Sequence, residues 1–130
     1  MNTEKSLQNV QNQLDELNQK LLKSERHQVI FRNWKCRVGL GQYYNGNLAI
    51  LLVDAKDGGP VATASINMIE ELLEEGEIVI KNYSENEGIV EALVIGGIIN
   101  APHRYIKTNF VQVPVCYLAL QYKNTKDLGV

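Results

Sequence analysis

The first part of the chain alternates apolar and polar residues with the period of an α-helix. In SLQNVQNQLDELNQKLLK the apolar positions are spaced 3, 4, 3 and 4 residues apart, with Gln, Asn, Asp and Lys elsewhere. This pattern predicts a helix from about Glu4 to Glu25, and its narrow stripe is typical of a coiled-coil seam. The seam consists of Leu7, Val10, Leu14, Leu17 and Leu21.

Two heptads alone are marginal in water, so this seam must be buried against something. We expect residues 1–27 to form an oligomerisation helix that packs on copies of itself; packing on the chain's own domain is the alternative. The positions beside the seam carry little charge, so dimer, trimer and tetramer all stay open.

After residue 27 the pattern changes to the period of two that is typical of β-strands. VIFRNWKCRV predicts a strand with Ile30, Trp34, Cys36 and Val38 on one side. The Asn-Gly pair in GQYYNGN predicts a hairpin turn. LAILLVDA predicts a central strand buried on both faces, and VATASINM predicts a third strand after the turn at KDGGP.

The second half of the chain mixes short helical and strand patterns. IEELLEEGE predicts one or two helical turns, and IVIK predicts a short strand. SENEGIVEALVIGGII predicts a helix with Ser84 as N-cap and Glu87 at the capping-box position, ended or loosened by Gly96 and Gly97. NFVQVPVCYLALQY predicts a long strand, in which Pro114 suggests an edge position or a bulge.

These elements predict an α+β fold: an N-terminal coiled-coil-like helix followed by an antiparallel sheet of about five strands with one packed helix. We expect residues 28–123 to form a ligand-binding domain and residues 124–130 a frayed tail.

Composition excludes some classes of function. The net charge of −2 over 130 residues argues against generic binding to duplex nucleic acid. No run approaches the roughly 20 apolar residues of a membrane span, and the N-terminus lacks the apolar core of a signal peptide, so we expect a cytoplasmic protein. Cys36 and Cys116 lie far apart in apolar segments and are predicted to be buried thiols. Ligand-spaced Cys and His pairs are absent, so we expect neither a metal nor another cofactor.

Catalysis has little support in the pattern. Ser84 lies beside Glu85 and Glu87, but no histidine precedes it at a telling position, and the capping role accounts for its hydroxyl. We therefore expect a binding protein rather than an enzyme.

Two polar loops carry the candidate binding chemistry. Arg104 and Lys107, beside Thr108 and Asn109, suit a diphosphate, because arginine can grip two oxygens at once. On the other loop Tyr83 offers a stacking face, and the amide of Asn86 can both donate and accept. From the chemistry alone, two solvated loops with Tyr83 as a core aromatic remain the favoured interpretation.

Three strings add a resemblance: NGNLAILLVDAKDGGPVATASINM, IVIKNYSENEGIVEALVIGGII and TNFVQVPVCYLAL. Together they span about three-fifths of the chain, with YSENEG as the most specific part, and they resemble the type 1 Thoeris anti-defence proteins of phages. Members of that family are sponges: they bind the glycocyclic ADP-ribose signal made by the Thoeris TIR enzyme and withhold it from the NADase effector. They form dimers that join through N-terminal helices into hexamers, and some hold cyclic trinucleotides of the CBASS pathway at separate sites.

The resemblance implies that both loops belong to one pocket, completed across a dimer interface. Tyr83 and Asn86 would then face the adenine and ribose, while Arg104 and Lys107 would face the diphosphate. The chain departs from the family where two basic residues four apart are expected, because Arg104 is followed by Lys107 and Thr108. The implied ligand-binding set is Tyr83, Ser84, Asn86, Glu87, Gly88, Arg104, Lys107, Thr108 and Asn109. The resemblance does not locate a second nucleotide site, for which Arg26 and His27, where the helix meets the sheet, are the candidates.

The resulting hypothesis is a phage immune-evasion protein that sequesters cyclic nucleotide signals in the host bacterial cytoplasm without cleaving them. The alternative is a protein that inhibits a bacterial defence nuclease by direct contact. A sponge binds a nucleotide by itself, whereas a direct inhibitor shows no small-molecule shift in thermal stability.

Overall fold

The computed structural model describes residues 3–23 and 27–120 and consists of a leading helix, a four-stranded sheet, a three-stranded sheet and a short second helix. The elements are α1 (Thr3–Lys23), β1 (Val29–Phe31), β2 (Trp34–Gln42), β3 (Leu48–Asp54), β4 (Pro60–Thr63), β5 (Glu77–Val79), α2 (Ile89–Ile95), β6 (Arg104–Lys107) and β7 (Gln112–Tyr117). Every strand pair is antiparallel. The predicted α+β class is therefore confirmed, with seven described strands instead of about five. No helix in the described ranges is long and apolar enough to cross a membrane.

The four-stranded sheet has the order β1-β2-β3-β4. The predicted turn at the Asn-Gly pair is confirmed: it joins β2 to β3, and Gly46 has a φ of 91° that favours glycine. β3 is a central strand, as predicted, but it is not buried on both faces. Leu48, Ile50 and Leu52 face the core, whereas on the opposite face Leu51 is 46 % exposed and Ala49 and Val53 are only partly buried.

The stretch VIFRNWKCRV forms a hairpin and not the single strand that its alternation predicts. Arg32 and Asn33 have φ values of 52° and 66° and make a two-residue turn between β1 and β2. This turn resets the alternation, so Ile30 and Trp34 are exposed at 60 % and 53 %. Cys36 on β2 is buried as predicted.

The leucine seam of α1 packs on the chain's own sheet, which is the alternative considered for it. Val10, Leu14, Leu17 and Leu21 are all at most 8 % exposed within the single chain and join the main core. Leu7, the first residue of the seam, is partly buried. A contact between protomers through these leucines would require α1 to leave the sheet.

Asn18 of α1 forms hydrogen bonds with the free backbone edge of β2. Beyond Cys36, no strand of the described residues pairs with β2 on the side opposite β3. There the Asn18 side chain donates to the Leu40 carbonyl at 2.9 Å and accepts from the Leu40 N–H at 2.8 Å, as a neighbouring strand would. Gln42 adds a bond to the Leu7 carbonyl at 3.0 Å.

The three-stranded sheet has the order β5-β7-β6, so β7 is its central strand. The edge position suggested for Pro114 is therefore wrong. Proline is tolerated because β5 ends at Val79, which pairs with Val115, so the missing N–H falls where the β5 ladder stops. The Pro114 carbonyl still accepts from the Ile80 N–H at 3.0 Å.

The acidic stretch IEELLEEGE is not helical. It forms turns and an irregular loop before β5. Leu72 is 93 % exposed and Ile69 is 61 % exposed, so the segment buries no continuous apolar face that would hold a helix.

The start of α2 differs from the prediction that Ser84 is its N-cap and Glu87 completes a capping box. Ser84 begins a single 3₁₀ turn with a φ of 55°, and α2 starts only at Ile89, after Gly88 with a φ of 91°. The Asn82 side chain accepts from the Val90 N–H at 3.0 Å and so satisfies one of the free donors of this helix. The predicted end of α2 at Gly96 is confirmed.

Asn82, and not Ser84, bonds to the N-terminus of α2, so a capping mutation is expected to lower stability at Asn82. Asn82→Ala should lower the free energy of unfolding by about 1 kcal/mol, because it removes the bond to the helix N-terminus. Ser84→Ala should change it by roughly 0.5 kcal/mol or less, since Ser84 is exposed and makes no cap bond. Urea titrations of both variants measure the difference, and the reverse ranking would contradict this assignment.

Candidate functional site

Arg104 is the residue on which the predicted diphosphate contact depends. It begins β6 rather than lying in a loop, and its guanidinium faces Glu77 at the start of β5. The Arg104 Nε and Nη2 donate to the two carboxylate oxygens of Glu77, each at 3.0 Å. The Glu77 side chain is 1 % exposed, whereas that of Arg104 is 37 % exposed. The Arg104 guanidinium, which was expected to bind phosphate oxygens, therefore binds a buried carboxylate.

Three further residues contact this pair or its neighbours: Glu74, His103 and Tyr117. Together with Glu77 and Arg104 they form what we call the Glu77 cluster. His103 Nε2 lies 2.6 Å from Glu77 Oε2, and its ring stacks on Tyr117 with the centroids 4.0 Å apart. The Tyr117 hydroxyl donates to Glu74 Oε2 at 2.8 Å, and the Glu74 N–H donates to Glu77 Oε1 at 2.7 Å.

The electrostatics of this cluster follow from the Arg104 fork. Its hydrogen bonds lower the pKa of Glu77 from 4.5 to about 2, against the opposing effect of burial. The same contact raises the pKa of Arg104. Each side chain thus holds the other in its charged form, which assigns Arg104 a structural role.

The other residues predicted on this loop lie in the β6–β7 hairpin. Lys107 ends β6 and is exposed, and Asn109 is exposed in the turn. Thr108 holds the turn together: its hydroxyl donates to the Val111 carbonyl at 2.7 Å and accepts from the Val111 N–H at 3.0 Å.

The loop from Tyr83 to Gly88 has a mixed character. Tyr83 is half-buried on the small core of Val79, Ile106, Val113 and Val115, as in the interpretation that places it in the core. Asn86, predicted to contact the adenine and ribose, is 2 % exposed. Its Nδ2 donates to the Thr63 carbonyl at 2.7 Å, because the 3₁₀ turn points the side chain inward.

Four residues of this loop are exposed: Ser84, Glu85, Glu87 and Gly88. The Glu87 carbonyl contacts the turn between β1 and β2, since Arg32 Nη2 lies 3.4 Å from it.

Within a single chain the two predicted loops are not brought together at Arg104. Arg104 pairs with Val115, which pairs with Val79, and Tyr83 lies four residues beyond Val79, or roughly 13 Å along an extended chain. Tyr83 instead shares its apolar neighbours with Val111 of the β6–β7 hairpin. Within residues 27–120 no hydrogen bond or ion pair links Tyr83–Gly88 to Arg104–Asn109.

A cleft of about 470 Å³ opens beside the Tyr83–Gly88 loop, between β4 and the chain that follows β5. Side chains from four separate segments line it, and they combine aromatic, hydroxyl, amide and cationic groups: Phe31, Tyr43, Ser65, Asn67, Lys81 and Asn86. Sequence reasoning missed most of them, because no local spacing links these positions.

Polar contacts fix the walls of this cleft. The hydroxyl groups of Tyr43 and Ser65 are 2.9 Å apart, and Ser65 also accepts from the Ile50 N–H at 2.9 Å. Asn67 Oδ1 accepts from the Asn47 amide at 2.9 Å. Lys81 forms an ion pair with Glu85, and this contact raises the pKa of Lys81.

The structure describes only one of the two residues of the predicted second nucleotide site. Arg26 lies outside the described residues. His27 lies at the end of α2, where its Nδ1 is 3.3 Å from the Gly96 carbonyl.

Both cysteines are buried free thiols, as predicted. Burial raises the pKa of Cys116 to about 11, which keeps it protonated at neutral pH. The described chain contains no group of three or more His, Cys, Asp or Glu side chains that could hold a metal ion.

Comparison with known proteins gives no relative to reason from. No family model matches the chain, and no curated protein or solved structure matches it either.

Proposed function

We propose that this protein is a phage immune-evasion protein that binds a cyclic nucleotide signal and withholds it without cleaving it. The proposed ligand is glycocyclic ADP-ribose, with cyclic trinucleotides as further ligands, and the proposed compartment is the host bacterial cytoplasm. Its main support is the 470 Å³ cleft, which lies within the size range of small-molecule sites and adjoins YSENEG, the most specific part of the family resemblance.

Each part of such a ligand has a suitable partner in the cleft. The half-buried Tyr43 offers an aromatic face for the adenine, and Asn67 offers an amide for a base or ribose edge. Lys81 supplies the positive charge for the diphosphate. Lys81 is held by Glu85, whose side chain is 66 % exposed, and surface ion pairs of this kind cost little to exchange for a phosphate.

The proposal assigns phosphate binding to Lys81 and a structural role to Arg104. Lys81→Ala should weaken binding by about 10- to 150-fold, the equivalent of the roughly 1.5–3 kcal/mol of a charge-assisted hydrogen bond. Melting without ligand should hardly change, because the Lys81 ammonium contacts an exposed carboxylate and the Tyr83 ring among the described residues. Titration calorimetry with glycocyclic ADP-ribose measures this effect.

Lys107→Ala is the matched control. Lys107 is an exposed cation on the β6–β7 hairpin, where the family resemblance places the diphosphate. This variant should bind like the unmodified protein. If Lys107→Ala loses affinity and Lys81→Ala does not, the ligand lies at the hairpin and the cleft assignment is wrong.

A second candidate function, direct inhibition of a bacterial defence nuclease, is favoured by the β6–β7 hairpin. Tyr105 on the edge strand β6 is 57 % exposed and Phe110 in the turn is 93 % exposed, which is typical of residues that contact a protein partner. A thermal-shift screen of ADP-ribose isomers and cyclic oligonucleotides separates the two functions, because a direct inhibitor gives no shift with any of them.

A further inference from the structure

An exposed tryptophan with cationic neighbours lies at one end of the four-stranded sheet. Trp34 is 53 % exposed, and its Nε1 donates to Asp54 Oδ2 at 2.7 Å, which fixes the indole at the surface. Trp34, Lys35 and Lys56 line one open cleft of about 570 Å³, together with the Asp54 carboxylate that Trp34 binds. Arg32 lies in the adjoining turn. We call Arg32, Trp34, Lys35 and Lys56 the basic patch.

The loop before β5 has the opposite character. Leu72 is 93 % exposed and Ile69 is 61 % exposed. They alternate with four glutamates, and the chain contains no Lys or Arg from residue 69 to residue 80. We call the following residues the acidic patch: Ile69, Glu70, Glu71, Leu72, Glu74 and Glu75.

The two patches lie at opposite ends of the β2–β3 hairpin. Trp34 begins β2, and Asp54 ends β3 beside it. The acidic patch adjoins the other end, because Glu74 and Glu75 line the same cavity as Asn45 and Asn47 in the β2–β3 turn. The nine residues of β2 separate the ends by roughly 26 Å, so the patches cannot meet within one chain.

We propose that the basic patch binds the acidic patch of a second copy of this chain, with Leu72 packed on the Trp34 indole and glutamates facing Lys35 and Lys56. An aromatic residue with a charged rim is a common centre of protein interfaces. Because the two surfaces differ, the contact runs head to tail and makes rings or filaments rather than an isologous dimer. The contact leaves the leucine seam of α1 on its own sheet.

Two single variants and their mixture test this arrangement by sedimentation over a range of protein concentrations. The unmodified protein should form species larger than a dimer, and high salt should shift it towards monomer. Trp34→Ala and Leu72→Glu should each weaken association at least about 10-fold, and each alone should sediment as a monomer. Leu22→Glu on α1, 57 % exposed and outside both patches, is the control and should sediment like the unmodified protein.

The mixture gives the sharpest result. Trp34→Ala keeps an intact acidic patch and Leu72→Glu keeps an intact basic patch, so an equimolar mixture should form a one-to-one dimer that cannot grow. Leu72 lies in solvent, so Leu72→Glu keeps the test valid even if Trp34→Ala folds poorly. The proposal is overturned if the unmodified protein is a monomer throughout, if Leu72→Glu keeps the unmodified mass, or if two folded monomeric variants do not pair.

Discussion

Removing the Arg104 guanidinium is expected to lower the free energy of unfolding by about 1.5–3 kcal/mol, the usual range for hydrogen bonds to a charged group, because it takes two bonds from a buried carboxylate whose partner is 37 % exposed. The Glu77 carboxylate is 1 % exposed and takes both of its Arg104 bonds at 3.0 Å. Arg104→Ala would leave it with only the His103 contact and the Glu74 N–H. Urea denaturation at neutral pH measures the change. From sequence alone, Arg104 is expected at the surface with no effect on stability.

Lys107→Ala is the control, because it removes a cation from the same strand that is exposed and outside the Glu77 cluster. It should change stability by roughly 0.5 kcal/mol or less. Equal stability of Arg104→Ala and Lys107→Ala would show that the ion pair contributes nothing.

The difference in the free energy of unfolding between the unmodified protein and Arg104→Ala should depend on pH, and this dependence identifies its cause. Because the pKa of Glu77 is lowered from 4.5 to about 2 in the folded protein, its stabilisation is fully present above pH 4.5. It is lost as the pH falls towards 2, and the shift corresponds to roughly 3 kcal/mol. The gap between the unmodified protein and Arg104→Ala should therefore shrink over that range.

The second large effect is expected from charges in the α1 seam. Leu14 is 0 % exposed and Leu17 is 7 % exposed within the single chain, so Leu14→Arg with Leu17→Arg places two unpaired charges in the main core. Each costs several kcal/mol. The sum approaches the roughly 5–15 kcal/mol that stabilise a domain, so the variant should lack a cooperative unfolding transition.

Leu22→Arg is the matched control, since Leu22 lies on the same helix and is 57 % exposed. It should melt like the unmodified protein. A double variant that stays folded but has a smaller mass would show that the seam holds protomers together and that α1 is dispensable for the fold.

Local patterns were sufficient for much of the fold. The α1 helix, the Asn-Gly turn, the central position of β3 and the end of α2 each follow from a few neighbouring residues. The two main failures have different causes, one local and one tertiary. Arg32 and Asn33 turn the chain without a glycine, and Pro114 sits in a central strand because β5 stops beside it.

The candidate site was less predictable, because its contacts join distant segments. Arg104 and Glu77 are 27 residues apart, and only the pairing of β5, β7 and β6 brings them together. Asn86 likewise reaches Thr63, 23 residues away. From sequence alone, a polar loop residue is therefore easily interpreted as a ligand contact, because its buried partner is distant in the chain.

Recovery of the bound signal tests sequestration most directly. The protein is mixed with a limiting amount of glycocyclic ADP-ribose and filtered, and the retained fraction is then heated to release the ligand for chromatography. We predict that the free signal disappears from the filtrate and that heating returns all of it chemically unchanged. A filtrate that still contains the signal, or a released product that differs from it, would contradict binding without cleavage.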